Sequence, residues 1–384
     1  MKEKKEKNGL VWYEWFCPHR RAKQIELTGE GVLSDSEVAK FKAEFLGDSS
    51  YEILAQEDLD IYAPENLDVL DLFSTESKKL EDRLLISFRK RVFSKDLSEK
   101  TWKSLRGAAR KSKNRGVAGG KVDFSKITRD PSKVIIVGDG TRYRYITDEG
   151  VLSDTYEANE TFGGIAGFFS STARNPYCRQ TAYTKDSFEK FKGSFEFLSL
   201  CSKKFKELAP TRFSNQENFL RKSNLIKNNW VVPETVYTTI TVNKNFQTAC
   251  HQDSGDYKAG MENLVAFEQG DAYKGGYTVF PKFRVAVDVR QGDFVCMDVA
   301  HHWHGNTAIE PVDPKKEEFE RLSLVLYVRE DMQKCGTQYE EHEKYLRWKE
   351  GWKPPTEMQK DRLQTHLDEK QKDADFMGEF GSKD

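Results

Sequence analysis

Hydrophobic and polar positions change their rhythm at about residue 234. Before it, apolar residues recur at helical spacing. In 187–208, SFEKFKGSFEFLSLCSKKFKEL, Phe and Leu return every three or four positions up to Pro210, which predicts one or two helices packed on a sheet. Helical patterns are also read around Asp35–Phe45 and over Ser77–Phe93, where Leu80, Leu84, Leu85 and Phe88 share one face. Gly116–Gly120 reads as a loop, and Lys133–Val137 as a short strand ending at the turn Gly138-Asp139-Gly140. From Thr235 the pattern alternates. TVYTTITV is followed by NLVAFEQ, YTVFP, RVAVDV, DFVCMDV and RLSLVLYV, separated by Gly, Asp and Pro. Short strands with turn residues between them predict an antiparallel sandwich or barrel. Beyond residue 331 the chain is highly charged, carries Trp348, Trp352 and Pro354-Pro355, and reads as a helical C-terminal extension with a disordered end at Gly378–Asp384.

Composition narrows the class. Charged residues make up 32% and hydrophobic ones 37% of 384 residues, no apolar run approaches membrane-spanning length, and no signal-type stretch follows the basic N-terminus. The expectation is an intracellular protein (nuclear in a eukaryote, otherwise in the cytoplasm or a virus-infected cell). Its six cysteines are scattered, which predicts free reduced thiols rather than a zinc site or a disulfide framework. A net charge of −1 does not announce a nucleic-acid partner. Locally, however, 103–121 holds Arg106, Arg110, Lys111, Lys113 and Arg115 with no acidic residue, a stripe able to neutralise phosphates.

The strongest chemical signal is His251-Gln252-Asp253. Positions i and i+2 of an extended segment share a face, so both side chains can reach one ion. A distant histidine would complete a two-histidine, one-carboxylate triad, which leaves open positions suited to non-haem Fe(II). DVAHHWHGNT offers His301, His302 and His304. His304 is favoured because Gly305 follows it, with His302 as the alternative. Arg321 opens a strand of otherwise apolar residues, and Ser323 faces the same way. A guanidinium there calls for a carboxylate, such as the distal carboxylate of 2-oxoglutarate.

Taken in order, HxD, GGYTVFPKFRVAVDVRQGD, HGN and RLSLVLYVRE resemble the TET/JBP family of nucleic-acid base dioxygenases. SLRGAARKSKNRGVAGG and NPYCRQTAYT resemble its compact microbial and viral members. The resemblance covers roughly 100–330. It implies an α+β protein with a double-stranded β-helix (jelly-roll) core flanked by helices, with helical extensions at both ends. The boundaries expected are 1–98 for a mixed, helical extension, 99–330 for the dioxygenase-like domain with its core at about 234–330, and 331–384 for the C-terminal extension. It further implies Fe(II), 2-oxoglutarate and O₂ as cofactors, with His251, Asp253 and His304 on iron, Arg321 and Ser323 on 2-oxoglutarate, and Arg179 as a second anion contact. The implied activity is oxidation of a pyrimidine 5-methyl group in nucleic acid, DNA first, after flipping the base out of the stack. Asp256, three residues after Asp253, is expected at the base. As a carboxylate it would accept from the amine of cytosine and repel the carbonyl of thymine, which favours 5-methylcytosine over thymine. Asn159 is the other residue expected at the base edge. Phe168, Phe169, Phe280 and Phe283 are candidates to sandwich the base. The chain lacks the cysteine-rich region of the animal branch. Rival readings are the same chemistry on a free base or a protein side chain, a catalytically inactive nucleic-acid-binding module, and a cupin-like metal-binding structural protein.

Overall fold

The computed structural model describes residues 1–47, 51–53, 57–65, 80–316 and 318–351. The fold is built around the strand Phe319–Tyr327. It pairs antiparallel with Glu262–Gly270 on one side and Thr239–Lys244 on the other. Its alternation is strict. Leu322, Leu324 and Leu326 enter a core formed with Phe197, Phe205 and Leu220 of the helices Phe195–Leu208 and Pro210–Lys222. Arg321, Ser323, Val325 and Tyr327 face the opposite way, into a cavity. Pro210 does not merely stop a helix. It opens the next one, at a position whose missing N–H costs nothing.

A second, smaller sheet covers the other face of the large one. It joins Gly305–Asn306, Thr278–Phe280 and Val285–Val287, with Glu52–Ile53 at its edge. Phe280, Phe283, Val285 and Val287 pack against Leu264, Ala266, Val295 and Met297 of the large sheet. Two facing sheets, whose central strands come from the chain after residue 234, give the jelly roll that the alternating pattern and the family resemblance imply.

Among its described residues the N-terminal extension is mainly strand, not mainly helix. Glu3–Lys7, Leu10–Cys17, Ala22–Leu27, Leu59–Tyr62 and Leu84–Arg89 are strands that prolong the large sheet, joining it where Leu84–Arg89 pairs with Phe294–Met297. The helix expected over 77–93 is corrected to a single 3-10 turn, Leu80–Arg83, followed by that strand, with its first residues outside the described ones. Leu84–Arg89 is buried at every position. A continuous apolar run of this length reads equally as helix or strand, and the sheet on both sides decides it. Only a short helix, Asp35–Val38, with a 3-10 turn after it, survives of the pattern at 35–45. The strand Val134–Val137 lies at the expected position. At the other end a capping box of Thr337 and Glu340 starts the helix Gln338–Lys349. The remainder of the expected extension, including Trp352, Pro354-Pro355 and the final segment, lies outside the described residues.

The expectation of six free thiols is also corrected. Cys178 and Cys335, 157 residues apart, form a disulfide with Cα atoms 5.7 Å apart, and the other four cysteines are free. Sequence spacing carries no information about two residues that only the tertiary fold brings together. Among the described residues no helix is long and apolar enough to cross a membrane.

Asp60 pins the N-terminal strands to the sheet. It is fully buried and accepts hydrogen bonds from Ser87 Oγ (2.6 Å), Arg89 Nη1 (2.9 Å) and Gln24 Nε2 (2.9 Å). Removing one partner of a buried pair leaves the other uncompensated. Asp60→Ala is therefore expected to lower unfolding free energy by about 3–5 kcal/mol, in a single transition measured by urea denaturation. A separate early transition would show instead that these strands unfold independently of the jelly roll.

Candidate metal centre and anion pocket

The centre is assembled by one pair of backbone hydrogen bonds. The His251 amide donates to the His304 carbonyl (2.8 Å), and the His304 amide returns the bond (2.9 Å). This places two imidazoles, distant in sequence, side by side with ring centroids 4.4 Å apart. Asn306 locks the approach by accepting from Thr248 N (2.7 Å) and Oγ1 (2.5 Å). Gly305 is needed here because a Cβ would lie 3.0 Å from the Thr248 carbonyl. The room it provides is for this neighbouring backbone, not for substrate.

His251 Nδ1 is 2.7 Å from the Ala249 carbonyl, and His304 Nδ1 is 3.3 Å from that of His302. With Nδ1 as the protonated nitrogen, each ring turns a free Nε2 inward. Those Nε2 atoms lie 3.5 and 3.4 Å from the two oxygens of Asp253. All three donor atoms fall within 4.8 Å of one another. Burial opposes charge on Asp253, but His251 and then His304 outweigh it and hold the carboxyl well below its usual range. Two imidazole nitrogens and one ionised carboxylate fit the ligand set of a non-haem Fe(II) ion. His302 is not part of it. Its ring packs on Phe283 with centroids 5.0 Å apart, and burial pushes its pKa down to about 4.

A brace behind the triad ties its two halves together. Gln252, between the two ligands, donates to the His301 carbonyl (2.9 Å), and the His301 ring binds Asp298 (2.6 Å). Asp298 also receives Arg212 (3.0 Å) from the helix Pro210–Lys222. Burial works against this carboxylate, yet Arg212 and His301 bring it down to about 2.

In front of the triad lies a cavity of about 420 Å³. Arg321 is 4% exposed, and its Nε has no hydrogen-bond partner among the described residues. A Cβ on Gly276 would come within 3.2 Å of that Nε, so glycine makes the space. Ser323 lines the same wall. A second guanidinium joins them. Arg115 donates to Asn243 Oδ1 (3.1 Å) and the Gly164 carbonyl (3.3 Å), while its Nε is enclosed and without a partner. Its assignment to an exposed nucleic-acid stripe is corrected, since it faces the cavity beside the metal ligands. Its cationic neighbours in sequence concealed that role, which depends on Gly163 leaving room for the guanidinium.

Asp256 also lines the cavity, 7% exposed. Burial, with Asp253 adding, pushes its pKa up to about 7. Glu262, which the sequence reading missed, lies beside it, and burial raises its carboxyl well above the usual range. Two adjoining buried acids that retain a proton can donate as well as accept. The argument that a carboxylate here must repel thymine therefore loses its force.

Other expected residues lie elsewhere. Asn159 spends its whole amide on a loop, accepting from Asp123 N (2.9 Å) and donating to the carbonyls of Gly119 (2.9 Å) and Lys121 (2.8 Å). It shapes the backbone and does not meet a base. Arg179 does not line this cavity but a different one. Within the basic stripe, Arg106 pairs with Glu320 (2.9 Å), Lys111 with Glu160 (2.8 Å) and Lys113 with Glu157 (3.2 Å), while Arg110 is exposed and bonds the Gly107 carbonyl. Acids absent from the local sequence arrive through the fold. Phe168, Phe280 and Phe283 are core, and only Phe169 is partly exposed.

Two substitutions test the centre. His251→Ala is expected to abolish stoichiometric Fe(II) binding measured anaerobically. Asp298→Asn keeps all three ligands but loosens the brace, and is expected to weaken Fe(II) binding about 10–100-fold with the far-ultraviolet circular dichroism unchanged. Wild-type affinity in Asp298→Asn would show that the brace does not position the metal ligands.

Comparison with known proteins finds similarity over the part of the chain that carries this geometry. Residues 164–330 match the Tet_JBP model, described as the oxygenase domain of the 2OGFeDO superfamily. Thymine dioxygenase JBP1 of Leishmania braziliensis is 30% identical over 168 residues, which are 43% of this chain and 19% of that protein. The bifunctional helicase and thymine dioxygenase JBP2 of Trypanosoma brucei brucei is 30% identical over 222 residues, 56% of this chain and 18% of the relative. The chain thus spans about a fifth of the length of these curated relatives. Among solved structures, NgTET1 in complex with 5mC DNA matches 80% of this chain and 97% of its own at 10% identity, with a TM-score of 0.43. The segment 164–330, which carries the His251–Asp253–His304 centre and Arg321, is similar to the TET/JBP oxygenase domains of the 2OGFeDO superfamily.

Proposed function

We propose that this protein is an Fe(II)- and 2-oxoglutarate-dependent dioxygenase that oxidises the 5-methyl group of a pyrimidine in DNA. The observation that carries the reading is the one cavity in which three convergent metal donors share the lining with a buried guanidinium whose Nε has no partner among the described residues. A bare cupin-like metal site would leave that guanidinium unexplained, because burying an unpaired cation is costly. Arg321 and Ser323 suit the distal carboxylate of 2-oxoglutarate, and Arg115 supplies a second anion contact nearer the metal donors. This replaces the part first expected of Arg179. An inactive module is disfavoured because every one of these groups is in place.

When bound, Fe(II) with 2-oxoglutarate and O₂ supplies an oxidant able to hydroxylate a methyl group, releasing succinate and CO₂. The chain's own work is to hold the reactants and aim the methyl. Asp256 and Glu262 lie on the cavity side of Asp253, where the polar edge of a flipped base would meet them. Ionised, Asp256 accepts from the exocyclic amine of 5-methylcytosine, and this remains the first reading of the base. Thymine is the second reading, favoured by the thymine dioxygenases among the relatives and by a carboxyl pair able to donate to a carbonyl.

The test is to supply Fe(II), 2-oxoglutarate and O₂ with DNA containing both 5-methylcytosine and thymine, and to analyse the digested nucleosides by mass spectrometry. One added oxygen on 5-methylcytosine, absent with His251→Ala, is the expected result. The same gain on thymine alone would choose the second reading. Consumption of 2-oxoglutarate with neither base changed would remove DNA as substrate. Asp256→Asn is expected to cut base oxidation about tenfold to a hundredfold, the scale of one charged hydrogen bond, with Fe(II) and 2-oxoglutarate binding retained.

A further inference from the structure

Next to the wall of the cavity that Arg329 lines, Arg179 and Arg329 share one aromatic ring. The Arg329 guanidinium lies 4.1 Å from the centroid of Phe169, and that of Arg179 lies 5.3 Å from it. Both are anchored on Ser170. Arg329 Nε donates to its hydroxyl (3.4 Å) and Arg179 Nη1 to its carbonyl (3.2 Å), with a further bond from Arg179 to the Tyr177 carbonyl (3.4 Å). These contacts use only some of the donors in each planar fork. Among the described residues, neither guanidinium forms an ion pair with an acid, although both are partly buried. Arg106, Lys111 and Lys113 all pair with acids.

Two adjacent cations held this way repel each other. Burial lowers the pKa of Arg179, and Arg329 adds to the effect. Such a pair is stabilised when an anion sits between the forks. Its place defines which anion. Arg329 lines the catalytic cavity, and Gly255, between Asp253 and Asp256, packs so closely that a Cβ there would lie 3.2 Å from Arg329 Nη2. On the proposed function, a nucleotide whose base enters the cavity beside Asp256 would carry its backbone past the wall that Arg329 forms.

We infer that Arg179 and Arg329, bracketing Phe169, form a phosphate-binding site for the nucleic-acid strand that carries the target base. The inference rests on the proposed action on DNA. A phosphodiester oxygen pair matches a guanidinium fork, and Phe169 keeps both forks in place without competing for the anion. In the stripe at 103–121, by contrast, Arg106, Lys111 and Lys113 spend their charge on acids, although Arg110 stays exposed.

The experiment is the salt dependence of DNA binding by the full chain, loaded anaerobically with Fe(II) and 2-oxoglutarate, on a duplex oligonucleotide containing 5-methylcytosine. Each phosphate contact contributes about 0.9 to the slope of log affinity against log salt. Arg179→Gln and Arg329→Gln are each expected to weaken binding and flatten that slope by about 0.9. Arg179→Lys is expected to keep the slope, because the charge is retained, and Arg106→Gln to leave it unchanged. An unchanged slope in Arg179→Gln, or weaker 2-oxoglutarate binding in place of weaker DNA binding, would overturn the phosphate assignment. Absence of salt-dependent DNA binding by the wild-type protein would instead overturn the proposed action on DNA, so the two failures are distinguishable.

Discussion

The reciprocal hydrogen bonds between His251 and His304 are the constraint on which the site depends. They join the segment after Thr239–Lys244 to the segment before Gly305–Asn306, and so close the smaller sheet over the larger one. Without that closure His304 would have no fixed relation to His251 and Asp253, and the cavity would lose a wall. The same segment is held from behind by hydrogen bonds from Gln252 to the His301 carbonyl, between the His301 ring and Asp298, and from Arg212 to Asp298, the last pair fully buried. Such pairing matters because an unpaired buried polar group is costly.

Strand alternation then divides labour within single elements. In Phe319–Tyr327, three leucines hold the helices while Arg321 and Ser323 are delivered to the cavity. Stability and chemistry are thus carried on opposite faces of one strand. A one-residue slip of register would exchange them, placing Arg321 in a core of leucines. Eight consecutive rungs with Glu262–Gly270 and six with Thr239–Lys244 make that slip costly.

The jelly roll was legible in the sequence because its strands alternate and are punctuated by Gly, Asp and Pro. The three candidate metal donors and Arg321 stood out in the sequence because their chemistry is unusual for their positions: two donors at i and i+2, and a cation opening an apolar strand; the fold brings all four to one cavity. Leu84–Arg89 was not legible, since a run buried on both faces has no period to read. Arg115 and Glu262 were missed for a different reason. Each gains its character from residues remote in sequence, Arg115 from Asn243 and Gly164, Glu262 from Asp253 and Asp256. Asn159 was misassigned because nothing local shows that three backbone groups of another loop would claim its amide.

Charge pairing separates the structural cations from those left for a ligand. The stripe at 103–121 looks free in sequence, but the fold brings Glu157, Glu160 and Glu320 to it, so much of its charge is spent internally. Exposed pairs of this kind contribute little to stability, and they also attract a polyanion less than bare cations would. Arg115 and Arg321 are the reverse case. Both are enclosed, both keep an unpartnered Nε, and neither meets an acid at ion-pair distance among the described residues. The electrostatic cost of such groups is tolerable only when an anion is bound for much of the protein's working life. On the proposed function, carboxylates of a small organic acid would complete the polar arrangement that these two guanidinium groups leave open.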